Sequence, residues 1–171
     1  MPAKDIIPMS IFNQYSYLFI SLLMLAAVYL VMRFVIRTRA PFIAVVELAL
    51  AGLLVLGLLV LRPGRSDVNG VEQAEALLQN GKPTFLEFFS NFCAGCLVVK
   101  PSVDQLVTTI AEDFNVLRVD IHTGFGRELR ERMGFSFTPE FILFDRQGQE
   151  VWRGHTPPSS EHLDSIRAAG Q

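Results

Sequence analysis

Residues 83–101 read PTFLEFFSNFCAGCLVVKP, and the order of elements in this stretch decides the fold. Thr84 to Phe89 is a short apolar run bounded by Pro83 and Ser90, the pattern of a buried strand. From Cys93 to about Glu112 the apolar positions recur at helical spacing, interrupted by Pro101. Cys93 and Cys96 therefore fall where a strand hands over to a helix. A thiol at a helix N-terminus faces unpaired N–H groups and the positive end of the dipole, both of which favour thiolate. Three-residue spacing on a helical turn lets Cys96 reach a sulfur bonded to Cys93. The pair is expected to cycle between dithiol and disulfide, with Cys93 more exposed and Cys96 more buried. A structural zinc site also uses C-x-x-C, but zinc needs four ligands. The chain has only 2 cysteines, and His122, His155 and His162 are not spaced as ligands, so surface or capping roles suit them better. The expectation is a redox couple with no metal and no separate cofactor.

Working outward, Val71 to Asn80 has helical spacing and stops at Gly81. Val116 to Ile121 reads as a second strand, and Gly126 to Met133 as a polar-faced helix ended by Gly134. Phe141–Phe144 and Glu150–Arg153 flank the turn sequence Asp145-Arg-Gln-Gly148, which predicts an antiparallel hairpin. Ser159 or Ser160 caps a final helix running to Ala169, before Gly170. The order α-β-α-β-α-β-β-α describes an α/β domain over residues 66–171.

The N-terminal part is of another kind. Between Asp5 and Arg33 there is no charged residue, and Glu47 is the only one between Arg39 and Arg62. Both apolar runs, about 12–36 and 41–61, are long enough to cross a bilayer core. The connector RFVIRTRA allows only a tight turn, so residues 1–65 read as a transmembrane helical hairpin plus a Pro-Gly linker. A cleaved signal peptide fits less well, because the first apolar stretch is too long and no small-x-small site follows it. Arg33, Arg37 and Arg39 in the turn stand against Lys4, Arg62, Arg65 and the amino terminus on the other side. The denser turn is taken as cytoplasmic, which sends the C-terminal domain to the extracytoplasmic side of a bacterial cell membrane. Glu47 inside a span is either a functional polar group or one paired within the hairpin, with the Tyr29 hydroxyl as candidate partner. Ala49, Gly52 and Gly57 would allow close helix approach.

Composition agrees with this division. Of 171 residues, 50% are hydrophobic and 19% charged, with 15 basic against 17 acidic side chains and a net charge of -2. Disorder is excluded by the apolar content. Nucleic-acid binding has no electrostatic footing in so balanced a chain. With two nearby cysteines, no disulfide scaffold exists.

The stretch from Pro83 to Pro101, together with Phe137-Thr138-Pro139 and the strands after it, resembles the thioredoxin family. The resemblance covers nearly all of residues 71–169 and none of the apolar hairpin. It implies a thioredoxin-like sheet, four- or five-stranded and mixed, flanked by helices. It further implies that Cys93 is the nucleophile and Cys96 the resolving cysteine. Pro101 matches the proline that kinks the active-site helix. Pro139 matches the cis-proline beside the disulfide, which offers backbone to substrate, and a Thr-Pro bond is one of the few that can be cis cheaply. Glu87 takes the place of the buried acid that manages the resolving cysteine's proton, although pairing with Arg118 in a structural bridge is its alternative use. Arg118 sits where the family often has a lysine, and Gly154 fits the glycine after the last strand.

Departures from the family pattern concern the substrate side. Phe92 stands where tryptophan is usual, Ala94-Gly95 replace Gly-Pro, and Leu97 replaces a lysine, which would leave the rim less cationic. Glu140 after Pro139 would add negative charge where peptides dock. Phe92, Ala94, Gly95, Thr138 and Glu140 are thus the expected substrate-contacting residues. Two functions follow. The first is a membrane-tethered thiol–disulfide oxidoreductase acting on client proteins with cysteines or disulfides. The second is a non-catalytic accessory or assembly subunit docked in a larger membrane complex.

Overall fold

Alternation along the strand at Thr84–Phe89 organises the domain. The computed structural model describes residues 7–168; Lys4, Ala169 and Gly170, used above, lie outside the described residues. In chain order the elements are helices α1 (Ile7–Gln14), α2 (Ser16–Leu30), which runs on as a π-helical turn over Val31–Val35, α3 (Ala40–Leu61) and α4 (Val71–Leu78). Strand β1 (Thr84–Phe89), helix α5 (Ala94–Ile110), strand β2 (Asn115–Asp120) and helix α6 (Gly124–Arg132) follow. The chain closes with β3 (Glu140–Phe144), β4 (Glu150–Gly154) and α7 (Ser160–Ala168).

The sheet has four strands in the order β2-β1-β3-β4, so the lower of the two expected strand counts holds. β1 runs parallel to β2, with Glu87 opposite Arg118, and antiparallel to β3, with Phe88 opposite Glu140. Every residue of β1 is buried, as expected of a central strand covered on both faces. Successive side chains point to opposite faces. Leu86 and Phe88 join Val71, Ala74 and Leu78 of α4 and Leu129 of α6 in one core layer. Phe85 joins Val103 and Ile110 of α5 and Leu163 and Ile166 of α7 in the other. Glu87 shares the parity of Phe85 and Phe89, so it faces α5. The free edge of β2 is covered by the linker, where Asp67 N donates to Arg118 O and the Asp67 carboxylate accepts from Arg118 N.

The helices Ser16–Val35 and Ala40–Leu61 are long and apolar enough to cross a membrane by length and composition, and almost none of their surface is buried by protein. Leu22, Leu23, Leu48 and Leu53 stand free of protein cover. Arg37 makes the turn with a positive φ of 57°, and Thr38 Oγ1 donates to Met32 O.

Two hairpin expectations change. The first long helix begins at Ser16, not near residue 12; Ile7–Gln14 is a separate helix, and Tyr15 at φ -114°, ψ 19° breaks the register. Tyr29 and Glu47 line one apolar depression, yet Glu47 Oε1 has no hydrogen-bond partner. The tyrosine that bridges the helices is Tyr17, whose hydroxyl donates to Leu54 O at 2.6 Å. Gly57 leaves room for it, since a Cβ there would lie 3.4 Å from that hydroxyl, whereas Gly52 faces open space.

Candidate active site

The first turn of α5 is built so that Cys93 caps it. Cys93 has extended backbone (φ -89°, ψ 119°) and its carbonyl accepts from Leu97 N. The backbone N–H groups of Gly95 and Cys96, in the first turn, favour a charge on its sulfur, though no side-chain cap hydrogen bond forms. Both cysteines are free thiols. The Cys93 thiol is lowered to about 5, first by the Cys96 S–H donated to it and then, against the opposing effect of burial, by Thr138 and the two backbone donors. The same S–H bond, with burial, pushes the Cys96 thiol well above its usual range. One proton shared across two sulfurs gives an ionised Cys93 and a protonated Cys96 at neutral pH.

The Thr138–Pro139 peptide bond is cis and faces this turn. The Cys93 sulfur lies 3.6 Å from Thr138 O. A Cβ on Gly95 would meet Pro139 Cδ at 3.3 Å and the Cys93 sulfur at 3.7 Å, so glycine is what lets the motif close against the proline.

Glu87 is fully buried on the face toward α5. Arg118 Nε donates to its Oε2 at 2.5 Å, and the guanidinium also reaches Asp104 on α5 at 3.1 Å. Oε1 of Glu87 has no partner. Burial pushes the carboxyl up against the pull of Arg118, and its charge contributes to the raised Cys96. The structural bridge weighed for Glu87 is present on one oxygen, and the other has no hydrogen-bond partner.

Several expected placements change. Cys93 is not the exposed member of the pair, since its relative exposure is 1% against 0% for Cys96. Glu140 is also buried, at 1%. It accepts from Ser136 Oγ at 2.8 Å and pairs with Arg153 Nη1 at 3.1 Å, so its charge is neutralised inside and does not meet a docking peptide. Leu97 packs inward, and Val98 is the exposed residue at that level, 78% accessible. Phe92 and Ala94 are half-buried and Gly95 is exposed. Thr138 is buried and already engaged by another part of the chain.

Two histidines read as peripheral stand close to this centre. His122 Nε2 lies 2.9 Å from Ser90 Oγ, and Ser90 Oγ accepts from Phe92 N in the loop that carries the cysteines. Burial lowers the His122 pKa below its ordinary value. The His155 ring stacks on Phe137 at 3.6 Å and its Nδ1 lies 2.8 Å from Pro139 O. Neither position carries a spacing signal; each becomes adjacent only through the sheet. Among the described residues, no group of three or more His, Cys, Asp or Glu side chains converges as a metal site would.

The residue that engages Thr138 is Asn13. Its Nδ2 donates to Thr138 O at 2.8 Å, and its Oδ1 accepts from Thr138 N at 2.9 Å and Thr138 Oγ1 at 2.8 Å. Ser16 Oγ accepts from Ala94 N at 2.9 Å, and Tyr17 N donates to Phe92 O at 3.0 Å. Tyr15 stacks on Phe92 with ring centroids 5.8 Å apart. No sequence pattern signals this contact, because Asn13 and Thr138 are remote in the chain.

Several known proteins are similar to this chain. The chain is 32% identical over 77 residues to the chloroplastic thioredoxin-like protein HCF164 of Arabidopsis thaliana, a match covering 44% of this chain and 29% of that one. It is 28% identical over 120 residues to a thiol:disulfide interchange protein TxlA homolog of Synechocystis, covering 67% of this chain and 66% of that one. The chain thus spans under a third of the plant relative and just under two thirds of the cyanobacterial one. Among solved structures, a mutant thioredoxin of Halobacterium salinarum is 20% identical with a TM-score of 0.49, over 61% of this chain and 88% of that one. The thioredoxin family model matches residues 67–166, more than half of the 171 residues, and the chain belongs to the thioredoxin family.

Proposed function

We propose that this protein is a membrane-tethered thiol–disulfide oxidoreductase whose working couple is Cys93 and Cys96. One observation carries the reading: Cys93 caps α5 beside Pro139 with its thiol lowered to about 5, while Cys96 is held protonated beneath it. The Cys93 thiolate attacks one sulfur of a client disulfide. A Cys93–client bond forms, the client S–S bond breaks, and the first client thiolate leaves. Cys96 then gives up its proton, with the open oxygen of Glu87 as acceptor, and attacks the Cys93 sulfur. The Cys93–Cys96 bond forms, the second client thiolate leaves, and two electrons have passed from the protein to the client. The reverse sequence oxidises a client dithiol, and reduction potential sets the net direction.

Arg118 supports the proton step by holding Glu87 Oε2, which leaves Oε1 without a hydrogen-bond partner and open to a proton. Thr138 and Pro139 present backbone to the client, flanked by Phe92, Ala94 and Gly95. The cyanobacterial relative's description as a thiol:disulfide interchange protein supports the same chemistry. The helices Ser16–Val35 and Ala40–Leu61 are read as the tether, placing the couple next to the bilayer and its clients among proteins with cysteines near that surface. Arg33, Arg37 and Arg39 in the hairpin turn support a cytoplasmic turn and an extracytoplasmic domain.

Cys96→Ala tests the chemistry. Without the resolving thiol, the mixed disulfide at Cys93 should accumulate with client proteins and be released by reductant. If no covalent adduct forms, and a Cys93→Ala/Cys96→Ala double variant supports full function in cells, the fold serves as a docking subunit instead.

A further inference from the structure

Residues 13–17 lie across the face of the thioredoxin fold where a client would meet Cys93. Asn13 engages both the N–H and the C=O of Thr138, the pair of bonds that one residue of a neighbouring antiparallel strand makes. Gln14 O accepts from Ser90 Oγ at 2.8 Å. Tyr15 covers Phe92 and also packs against His122 at 5.1 Å. Ser16 takes up Ala94 N, a donor otherwise unpaired at the start of α5. Tyr17 N bonds Phe92 O. Between Phe92 and Ala94, both held by this segment, sits a nucleophile of lowered pKa that is only 1% exposed, although Gly95 and Val98 in the first turns of α5 are open.

We propose that Asn13–Tyr17 is a built-in stand-in for the client. It closes the dithiol at rest and must be displaced before exchange. This rests on the exchange chemistry proposed above and adds to it a selectivity device. The segment is the joint between α1 and α2, and the break at Tyr15 is where it swings. A stray disulfide in solution must compete with contacts supplied by the chain itself. A client held in the same membrane competes at high effective concentration, and its own backbone N–H and C=O replace the Asn13 amide on Thr138. The partner that fits is therefore a membrane-bound protein offering an extended, cysteine-bearing segment at the bilayer surface.

The test compares full-length reduced protein in lipid nanodiscs with its Asn13→Ala and Tyr15→Ala variants, following iodoacetamide labelling of Cys93. Work at about pH 8 keeps a thiol of such lowered pKa ionised, so the rate reports access. Asn13→Ala, which deletes three hydrogen bonds to Thr138, should raise the labelling rate at least about tenfold, and Tyr15→Ala should raise it as well. Rates within a factor of two of the parent for both variants overturn the proposal. A second measurement needs no cap variant. In Cys96→Ala protein carrying glutathione on Cys93, deuterium uptake over residues 13–17 should rise relative to the free thiol, and unchanged protection overturns the proposal. Faster labelling in the variants without disulfide exchange by any form would sink the oxidoreductase reading and leave the cap standing. Normal exchange with equal labelling would do the reverse.

Discussion

At the residue scale, the chemistry is a matter of which sulfur holds the proton. The largest influence lowering Cys93 is the hydrogen bond from Cys96. Cys96→Ala should therefore move the Cys93 ionisation midpoint upward from about 5, stopping short of an ordinary thiol because Thr138 and the Gly95 N–H still favour the thiolate. A pH titration of thiolate absorbance checks this, and an unmoved midpoint would assign the shift to the helix terminus alone. Glu87 allows a second prediction. Glu87→Gln keeps the shape but cannot take a proton, so release of the mixed disulfide should slow by about a hundredfold. The deficit should shrink as pH rises and solvent base takes over, as stopped-flow quench experiments would show. Glu87→Ala should instead cost stability, roughly 1–3 kcal/mol, because it removes a charged hydrogen bond from the half-buried Arg118 guanidinium, which keeps Asp104. The cysteine pair was legible in the strand-to-helix handover around it, whereas Glu87 and Pro139 were singled out only by the resemblance to the thioredoxin family. Burial of Cys93 and the inward turn of Glu140 were not, since Cys93 lies against Thr138 and Glu140 pairs with Arg153, both remote in the chain.

Elements were legible in proportion to how local their causes are. β1 begins and ends where the apolar run TFLEFF predicts, and α5 starts one residue after Cys93 and continues through Pro101. The separate helix at Ile7–Gln14 is hidden by the lack of charge between Asp5 and Arg33, although the polar cluster Asn13-Gln14-Tyr15-Ser16 falls at the break; contacts of Tyr15 with Phe92 and His122 accompany it. Helix α6 shows the tightest local packing. Thr123 Oγ1 caps it by accepting from Gly126 N at 3.0 Å. A Cβ on Gly126 would sit 2.1 Å from Asp120 O and 2.6 Å from that same hydroxyl. Because the nearest atom is backbone at the end of β2, it cannot rotate aside. Gly126→Ala should lower unfolding stability by about 1–3 kcal/mol, and Thr123→Ala by about 1 kcal/mol. Chemical denaturation in detergent measures both. An unchanged Gly126→Ala protein would mean that the β2–α6 turn relaxes freely.

On the scale of the whole molecule, the hairpin and the domain are joined at one end. The linker is clamped where Asn91 exchanges bonds with Gly64 N and O at 2.9 and 2.8 Å, and residues 13–17 grip the catalytic loop from the other helix. If the two apolar helices span a bilayer as proposed, Cys93 lies at the membrane end of the domain, and sidedness decides which proteins it can meet. We read the turn, with Arg33, Arg37 and Arg39 packed more densely than Lys4, Arg62 and Arg65 on the other side, as the cytoplasmic end. In a Cys93→Ser/Cys96→Ser background, a single cysteine at exposed Glu161 should react with a membrane-impermeant maleimide in intact cells. One at Arg39, in the turn, should react only after the membrane is opened. The reverse pattern would place the dithiol in the cytoplasm, where soluble reductants reach it directly. A cap over Cys93 would then shield it from that pool, not hold it for clients in the membrane.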